Sequence, residues 1–306
     1  MRVAFAGLGR MGFHLARHVA GAAANRDGVT VEAFDVDSAA RERMADTAGL
    51  TVVDELPADL GEGDVLCLSV PDGRATRAAV ASLGPLDSAS GLAILDFSSV
   101  APADAKAIAA DLAPSEVVYI DAPVTGGVLG AEKGTLTTIV GAGADSMQPL
   151  QWIPESFSAR VVLAGVVGAG ALLKTLNNMI FNISSIACME GIVVARRAGV
   201  PDDVLLDVLN HGTAANYFSQ VRYPQYVRTR TFDAGMRVGL VDKDLQIALD
   251  AASEAGCDLR LCGAGRAMWA AALDALGPDA DTTMMMDVVA RATTGAGIVD
   301  LLEEPS

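Results

Sequence analysis

The 306 residues carry 22 Lys and Arg against 38 Asp and Glu, a formal net charge of −16, with 51% hydrophobic and 20% charged residues. That balance excludes a disordered chain and argues against nucleic acid or an anionic membrane surface as a partner, because the long-range field repels both. The length exceeds what one core usually serves, so two domains are expected, with an aliphatic interior because aromatics are only 5%.

The cysteines Cys67, Cys188, Cys257 and Cys262 form no CxxC pair and are too few for a disulfide framework. They are expected to be small buried hydrophobes in a chain from a reducing, cytoplasmic compartment. The first residues look superficially like a secretory signal, but Arg10, His14 and Arg17 interrupt the apolar stretch too early. No apolar run reaches about 18 residues, so no membrane span is expected.

In chain order, residues 3–6 form a short apolar run ending directly in Gly7-Leu8-Gly9-Arg10-Met11-Gly12, after which Phe13, Ala16, Arg17, Val19 and Ala20 fall on helical spacing. This is strand, glycine turn, helix, the arrangement of a dinucleotide-binding fingerprint. One glycine makes the tight turn, one lets the backbone approach a pyrophosphate, and one lets the helix pack closely on the strand. The free N–H groups of the helix start then face the phosphates. Residues 29–34 read as the second strand and deliver Asp35 at its end, about 20 residues past the glycines, where a carboxylate can accept both ribose hydroxyls. With Asp37 close by and no arginine immediately after the strand, a 2′-phosphate would be repelled, so NAD is the expected cofactor.

The alternation continues through expected strands 65–70, 92–97, 117–120 and 136–140, which implies a doubly wound parallel sheet with ligands at the carboxyl ends of its strands. At those ends lie Val70-Pro71, Asp96-Phe97-Ser98-Ser99 and Asp121-Ala122-Pro123. Each is also compatible with ordinary turn chemistry. The stretch Thr125-Gly126-Gly127 supplies a hydroxyl and two small residues whose backbone N–H groups can hold a carboxylate; its alternative is a structural turn into strand 136–140.

Beyond about residue 166 the pattern becomes helical, which sets the expected division at a Rossmann-type domain of residues 1–165 and an all-α domain of residues 166–306. A long helix over 168–198 is expected to link them and to carry Lys174 toward the cleft. Lys174 and Asn178 stand at i,i+4, so both leave one helix face, and an ammonium beside a carboxamide suits a substrate oxygen that gains or loses a proton. The alternative is a snorkelling lysine on an amphipathic helix. Segment 216–232 gathers Tyr217, Tyr223 and Tyr226 with Arg222, Arg228 and Arg230. It reads either as a substrate-selecting wall or, the preferred reading, as a surface loop packed by its tyrosines. Met284, Met285 and Met286 are expected in a core or subunit interface. His14, His18 and His211 are expected to be structural, and no His/Cys cluster with ligand spacing calls for a metal.

Four motifs in this order, the glycine turn at residues 7–12, the loop at 121–127, the helix start at 168–178 and Lys243-Asp244-Leu245, resemble the beta-hydroxyacid dehydrogenase family, whose members include 3-hydroxyisobutyrate dehydrogenase. The resemblance covers nearly the whole chain. It implies that Lys174 is the general acid/base, that Asn178 positions the substrate and that Thr125, Gly126 and Gly127 hold its carboxylate. It also implies cofactor contacts from Val70, Pro71 and Ser99, with Lys243 reaching toward nicotinamide and substrate. The family often has serine where this chain has Thr125. Expected from the resemblance is NAD-dependent oxidation of a short beta-hydroxy acid to its semialdehyde or keto acid, or the reverse reduction, by a homodimer or homotetramer. Imine reductases share the architecture but usually replace the helix lysine. The 6-phosphogluconate dehydrogenases are much longer, and a catalytically silent NAD sensor would be expected to lose Lys174 and the Thr125 loop.

Overall fold

The computed structural model describes residues 1–86 and 89–303. They form two compact units, Met1–Lys174 and Thr175–Ser306.

The first unit alternates strands and helices: β1 (Arg2–Ala6), α1 (Gly12–Ala23), β2 (Thr30–Phe34), α2 (Ser38–Met44), β3 (Thr51–Val52), β4 (Val65–Leu68), α3 (Gly73–Ala81), β5 (Ala93–Asp96), α4 (Pro102–Leu112) and β6 (Val118–Asp121). The strands pair in the order β3-β2-β1-β4-β5-β6, parallel throughout. This is the doubly wound sheet the sequence implied. The order reverses between β1 and β4, which opens a crevice above their carboxyl ends. Both faces are covered, one by Leu15, Val19 and Phe157, the other by Ile108 and Leu112, so each central strand reads as a short continuous apolar run.

After β6 the chain leaves this sheet. β7 (Val124–Thr125), α5 (Gly127–Lys133), β8 (Leu136–Val140), α6 (Ala144–Met147), α7 (Trp152–Glu155) and β9 (Ser158–Leu163) follow. β7, β8 and β9 make a separate three-stranded sheet, antiparallel between β7 and β8 and parallel between β8 and β9. The strand expected at 136–140 is thus present but does not extend the main sheet. β9 was not expected, because most of its residues are exposed or half-buried and its short apolar run follows Arg160 without alternation.

The long helix α8 (Ala169–Arg197) passes from the first unit into the second. The division expected at 165/166 falls before it, whereas the compact units divide inside it, since Ala171 in its first turns is buried in the first unit's core. By length and composition α8 could cross a membrane. Its Ile186, Met189, Ile192 and Val193 are instead buried in the core of the second unit.

That unit continues with α9 (Asp202–His211), a π-helical segment (Phe218–Val227), α10 (Val238–Glu254), α11 (Arg260–Leu276), α12 (Met285–Thr294) and α13 (Ile298–Glu303). The π-helical segment corrects the preferred reading of 216–232 as a surface loop. Phe218, Tyr223 and Val227 lie in the core and Arg222 is buried with them. The mix of tyrosine and arginine suggested solvent, yet both find partners inside: Tyr223 donates to Asp202 Oδ2 at 2.7 Å and one Arg222 nitrogen, Nη1, to the carbonyl of Ala234 at 2.8 Å. Met285 and Met286 are core residues. Cys67, Cys188 and Cys262 are buried as expected, whereas Cys257 is exposed.

Candidate active site

The glycine turn divides its labour as the spacing implied. Gly7 has φ +96°, and a Cβ there would stand 2.2 Å from the Ser69 carbonyl oxygen at the end of β4. A Cβ on Gly12 would stand 1.9 Å from the Gly7 carbonyl oxygen, so α1 can seat against the turn only with glycine there. Gly9 is different: its Cβ would enter open space. That position leaves the backbone uncovered where a pyrophosphate has to approach, and α1 begins after Met11, whose side chain does not cap it. The cradle therefore fits a dinucleotide.

Asp35 closes one side of it. Leu8 N donates to Asp35 Oδ2 at 2.6 Å and Asp37 N to Oδ1 at 2.9 Å. Each oxygen keeps lone-pair capacity for a ribose hydroxyl. Asp37 caps α2 through Ala39 N at 3.0 Å, and Arg41 on that helix donates to the Asp35 carbonyl at 2.7 Å and pairs with Asp54 at 3.3 Å.

On the other side, Val70 lies beside Gly7, its Cγ1 being 3.2 Å from where a Gly7 Cβ would sit. Val70 N donates to Ser98 Oγ at 2.9 Å, and Ser98 N to Asp96 Oδ1 at 2.9 Å. Asp96 Oδ2 accepts from Thr76 Oγ1 at 2.8 Å and Tyr119 OH at 2.9 Å. Burial pushes the Asp96 carboxyl above the usual range against the pull of these donors. One buried carboxylate thus ties the exits of β4 and β5 together beneath Val70 and Pro71. Ser99, next in the chain, is exposed.

Asp121 does the same for the lysine helix. It ends β6 and is 2% exposed. Its Oδ1 accepts from Gly168 N at 2.8 Å and its Oδ2 from Ala171 N at 2.7 Å, so one carboxylate satisfies two orphan donors at the start of α8. Burial raises its carboxyl above the usual range, and the backbone N–H groups of Gly168 and Ala171 oppose the shift. The fit leaves no room for side chains: a Cβ on Gly141 would be 2.0 Å from Asp121 Oδ1, and one on Gly170 would be 2.4 Å from the Ile139 carbonyl oxygen.

Asp121 also begins the loop to Thr125, Gly126 and Gly127. Thr125 pairs with Thr137 on β8. Gly126 and Gly127 are exposed with φ +128° and +68°, and α5 starts there without a side-chain cap. Backbone donors are therefore available at the position assigned to carboxylate binding. Lys174, half-buried, follows Ala171 by three residues on α8.

In the second unit, Asn178 Nδ2 donates to Asp244 Oδ2 at 2.8 Å, so α10 fixes the orientation of that amide; Lys243, half-buried, is the neighbour of Asp244. The residues missed from sequence as site supports are the buried carboxylates Asp96 and Asp121, with Ser98 and Asp244. For Asp96 and Asp121 the signal was an acidic residue closing an apolar strand run two residues before Ser or Pro. Among the described residues no group of three or more His, Cys, Asp or Glu is placed to hold a metal ion.

Known proteins are similar to this chain along both units. Residues 2–166 match the family described as the NAD binding domain of 6-phosphogluconate dehydrogenase, and residues 168–289 match the NAD-binding family of NADP-dependent 3-hydroxyisobutyrate dehydrogenase. The chain is 27% identical to 2-(hydroxymethyl)glutarate dehydrogenase of Eubacterium barkeri, over 85% of each chain. It is 31% identical to an uncharacterized oxidoreductase of Shewanella frigidimarina, over 84% of this chain and 87% of the other. The solved 3-hydroxyisobutyrate dehydrogenase of Mycobacterium tuberculosis with L-serine superposes with a TM-score of 0.81 at 27% identity, covering 94% of this chain and 97% of that one. A glycine cradle built for a dinucleotide, a lysine helix clamped to a strand end and matches along both units place the chain in the beta-hydroxyacid dehydrogenase family, as an NAD(P)-dependent oxidoreductase acting on CH–OH.

Proposed function

We propose that the chain oxidises a short beta-hydroxy acid of the 3-hydroxyisobutyrate type to its semialdehyde or keto acid, or runs the reverse reduction, with NAD as the preferred coenzyme and Lys174 as the proton-transfer group. The observation that carries this reading is the Asp121 clamp. A single buried carboxylate holds the start of α8 and stands four residues before Thr125, so the carboxylate-binding loop and the helix bearing Lys174 are tied to one point of the first unit. A proton-transfer group must be held within hydrogen-bond reach of the reacting oxygen, and such a tie limits the freedom of both parts.

In oxidation the hydroxyl proton passes to the neutral amine of Lys174; in reduction the ammonium returns it to the carbonyl oxygen. A bound nicotinamide supplies the chemistry this chain lacks, by accepting or donating the hydride at carbon. The N–H groups of Gly126 and Gly127 and the Thr125 hydroxyl hold the substrate carboxylate. Asn178, with its amide turned by Asp244, orients the reacting oxygen, and Lys243 adds positive charge for a carboxylate within an acidic protein. The methyl of Thr125, where the family often has serine, narrows the pocket. Discrimination by one methyl is worth about 1–3 kcal/mol, so several short acids are expected to turn over.

The preference for NAD rests on Asp35 and Asp37, whose carboxylates oppose a 2′-phosphate. The exposed apolar residues Ile180, Val194, Val204, Val208 and Leu261 of the helical unit support self-association as a homodimer or homotetramer. The test is a panel of short beta-hydroxy acids, including 3-hydroxyisobutyrate, serine and glycerate, assayed with NAD and NADP by nicotinamide absorbance for the wild type and Lys174→Ala. Turnover of one or more acids that is lost in the variant supports the assignment. Equal turnover by both proteins would remove Lys174 from the mechanism, and equal rates with both coenzymes would remove the argument from Asp35.

A further inference from the structure

The helical unit holds a buried positive charge whose hydrogen bonds are incomplete. Arg222, on the π-helical segment, is 8% exposed. One of its nitrogens, Nη1, donates to the Ala234 carbonyl at 2.8 Å, and the guanidinium lies 5.9 and 6.0 Å from the ring centres of Tyr217 and Tyr226. Its Nε has no partner, and no carboxylate among the described residues forms an ion pair with it. A guanidinium cannot shed its charge, so burial without a counter-charge carries a cost that tyrosine faces offset only in part.

A second orphan donor accompanies it. Asn182 on α8 is 1% exposed, and its Nδ2 is also without a partner. Both residues line one small cavity of about 10 Å³, together with Ser185, Trp269, Thr282 and Thr283. Nearby hydroxyl protons are committed elsewhere: Ser185 Oγ donates to the Phe181 carbonyl at 2.7 Å, and Thr283 Oγ1 to Asp281 Oδ1 at 2.6 Å. The Asp281 oxygens also accept from Thr283 N at 2.9 Å and Gly235 N at 2.7 Å. What the cavity wall presents is a guanidinium with no carboxylate in ion-pair contact and two donors, Arg222 Nε and Asn182 Nδ2, without acceptors.

We propose that this cavity is a binding site for a monatomic anion, chloride in the cell, held between Arg222 Nε and Asn182 Nδ2. The room corresponds to a single particle of about the size of water, which excludes sulfate, phosphate and carboxylates. A halide accepts from both donors at once and neutralises the guanidinium. A water molecule accepts from both but leaves the charge unbalanced. Asn182 lies one helical turn beyond Asn178. The anion therefore pins α8 to the π-helical segment directly behind the amide row, and ties the stability of the helical unit to halide concentration.

Two measurements on the full-length wild type test the site. Crystals grown with bromide in place of chloride are expected to show an anomalous difference peak in the cavity, in contact with Arg222 and Asn182. Thermal unfolding without coenzyme, at constant ionic strength held by gluconate, is expected to show a saturable rise in Tm of about 2–4 °C as chloride goes from about 1 to about 100 mM. Arg222→Met is expected to lose this response, and Asn182→Ala to weaken it. A cavity holding only water in bromide-grown crystals, or a Tm equally indifferent to chloride and gluconate, would overturn the proposal. Neither readout depends on turnover, so failure here is separate from failure of the dehydrogenase assignment.

Discussion

The two units reach order by different means. The first builds its site from backbone: glycines that admit close approach, strand ends that stop in a row, and buried carboxylates at Asp96 and Asp121 that accept N–H and O–H groups from neighbouring segments. The second builds from side chains on long helices, with Asn178 oriented by Asp244 and a core in which even Arg222 is enclosed. A backbone-made site tolerates no added atom where glycine stands, whereas a helix-made site depends on which side chain projects at each turn. The same kind of substitution should therefore have different consequences in the two units.

The largest expected effect is on chemistry. Lys174→Ala should lower kcat by about 10³-fold, the scale of a lost acid–base group, while NADH affinity measured by fluorescence titration changes less than about twofold. A matched loss of coenzyme affinity would mean that the helix, not the amine, had been damaged.

Next comes the clamp. Asp121→Ala orphans the N–H groups of Gly168 and Ala171, at about 1–3 kcal/mol each, so urea unfolding should show a loss of about 2–5 kcal/mol. An unchanged midpoint would show that the start of α8 is held by something else.

Within the glycine turn, Gly12→Ala and Gly9→Ala separate packing from binding. Gly12→Ala should lower Tm, because its new methyl meets the Gly7 carbonyl oxygen. Gly9→Ala should leave Tm within about 1 °C and raise the coenzyme Kd about tenfold or more, because that methyl occupies the space where the pyrophosphate approaches. Asp35→Ser should raise the NADP-to-NAD ratio of kcat/KM by about tenfold, by relieving the repulsion of a 2′-phosphate.

The smallest effect is a pH dependence. Burial raises the folded-state pKa of Asp121, so the folded protein holds this proton over a window where the unfolded chain has released it. The corresponding stability is complete below the unfolded value and is lost as pH rises through the folded one. The stability of the wild type relative to Asp121→Asn, measured in urea, should therefore increase as pH falls from 7 toward 4. A difference that shrinks over that range would mean the carboxylate is ionised without penalty.

Much of the first unit was legible because a parallel sheet covered on both faces prints its strands as apolar runs, and the turn after β1 prints its geometry as glycines. The fingerprint at residues 7–12, Asp35 and the lysine helix could be named for that reason. β9 could not, since its exposed residues carry no periodic signal, and Arg160 interrupts its apolar pattern. The π-helical segment failed the reading in the opposite direction. Arginine and tyrosine at 217–230 looked like surface, because polarity in sequence does not reveal whether Asp202 or the Ala234 carbonyl waits to receive a hydrogen bond.

Local chemistry along the chain was enough to identify a glycine turn for a dinucleotide, an acidic residue at the end of the second strand and a lysine–asparagine pair on one helix face, because each depends on residues close in sequence or on a fixed helical period. Which carboxylate holds the start of α8, which groups support Val70, and that a positive charge lies enclosed beside two unmet donors were decided only by tertiary structure. Those features join residues 28, 47 and 50 positions apart, or set Arg222 against Asn182 across a core, and burial itself is a property that no local pattern contains.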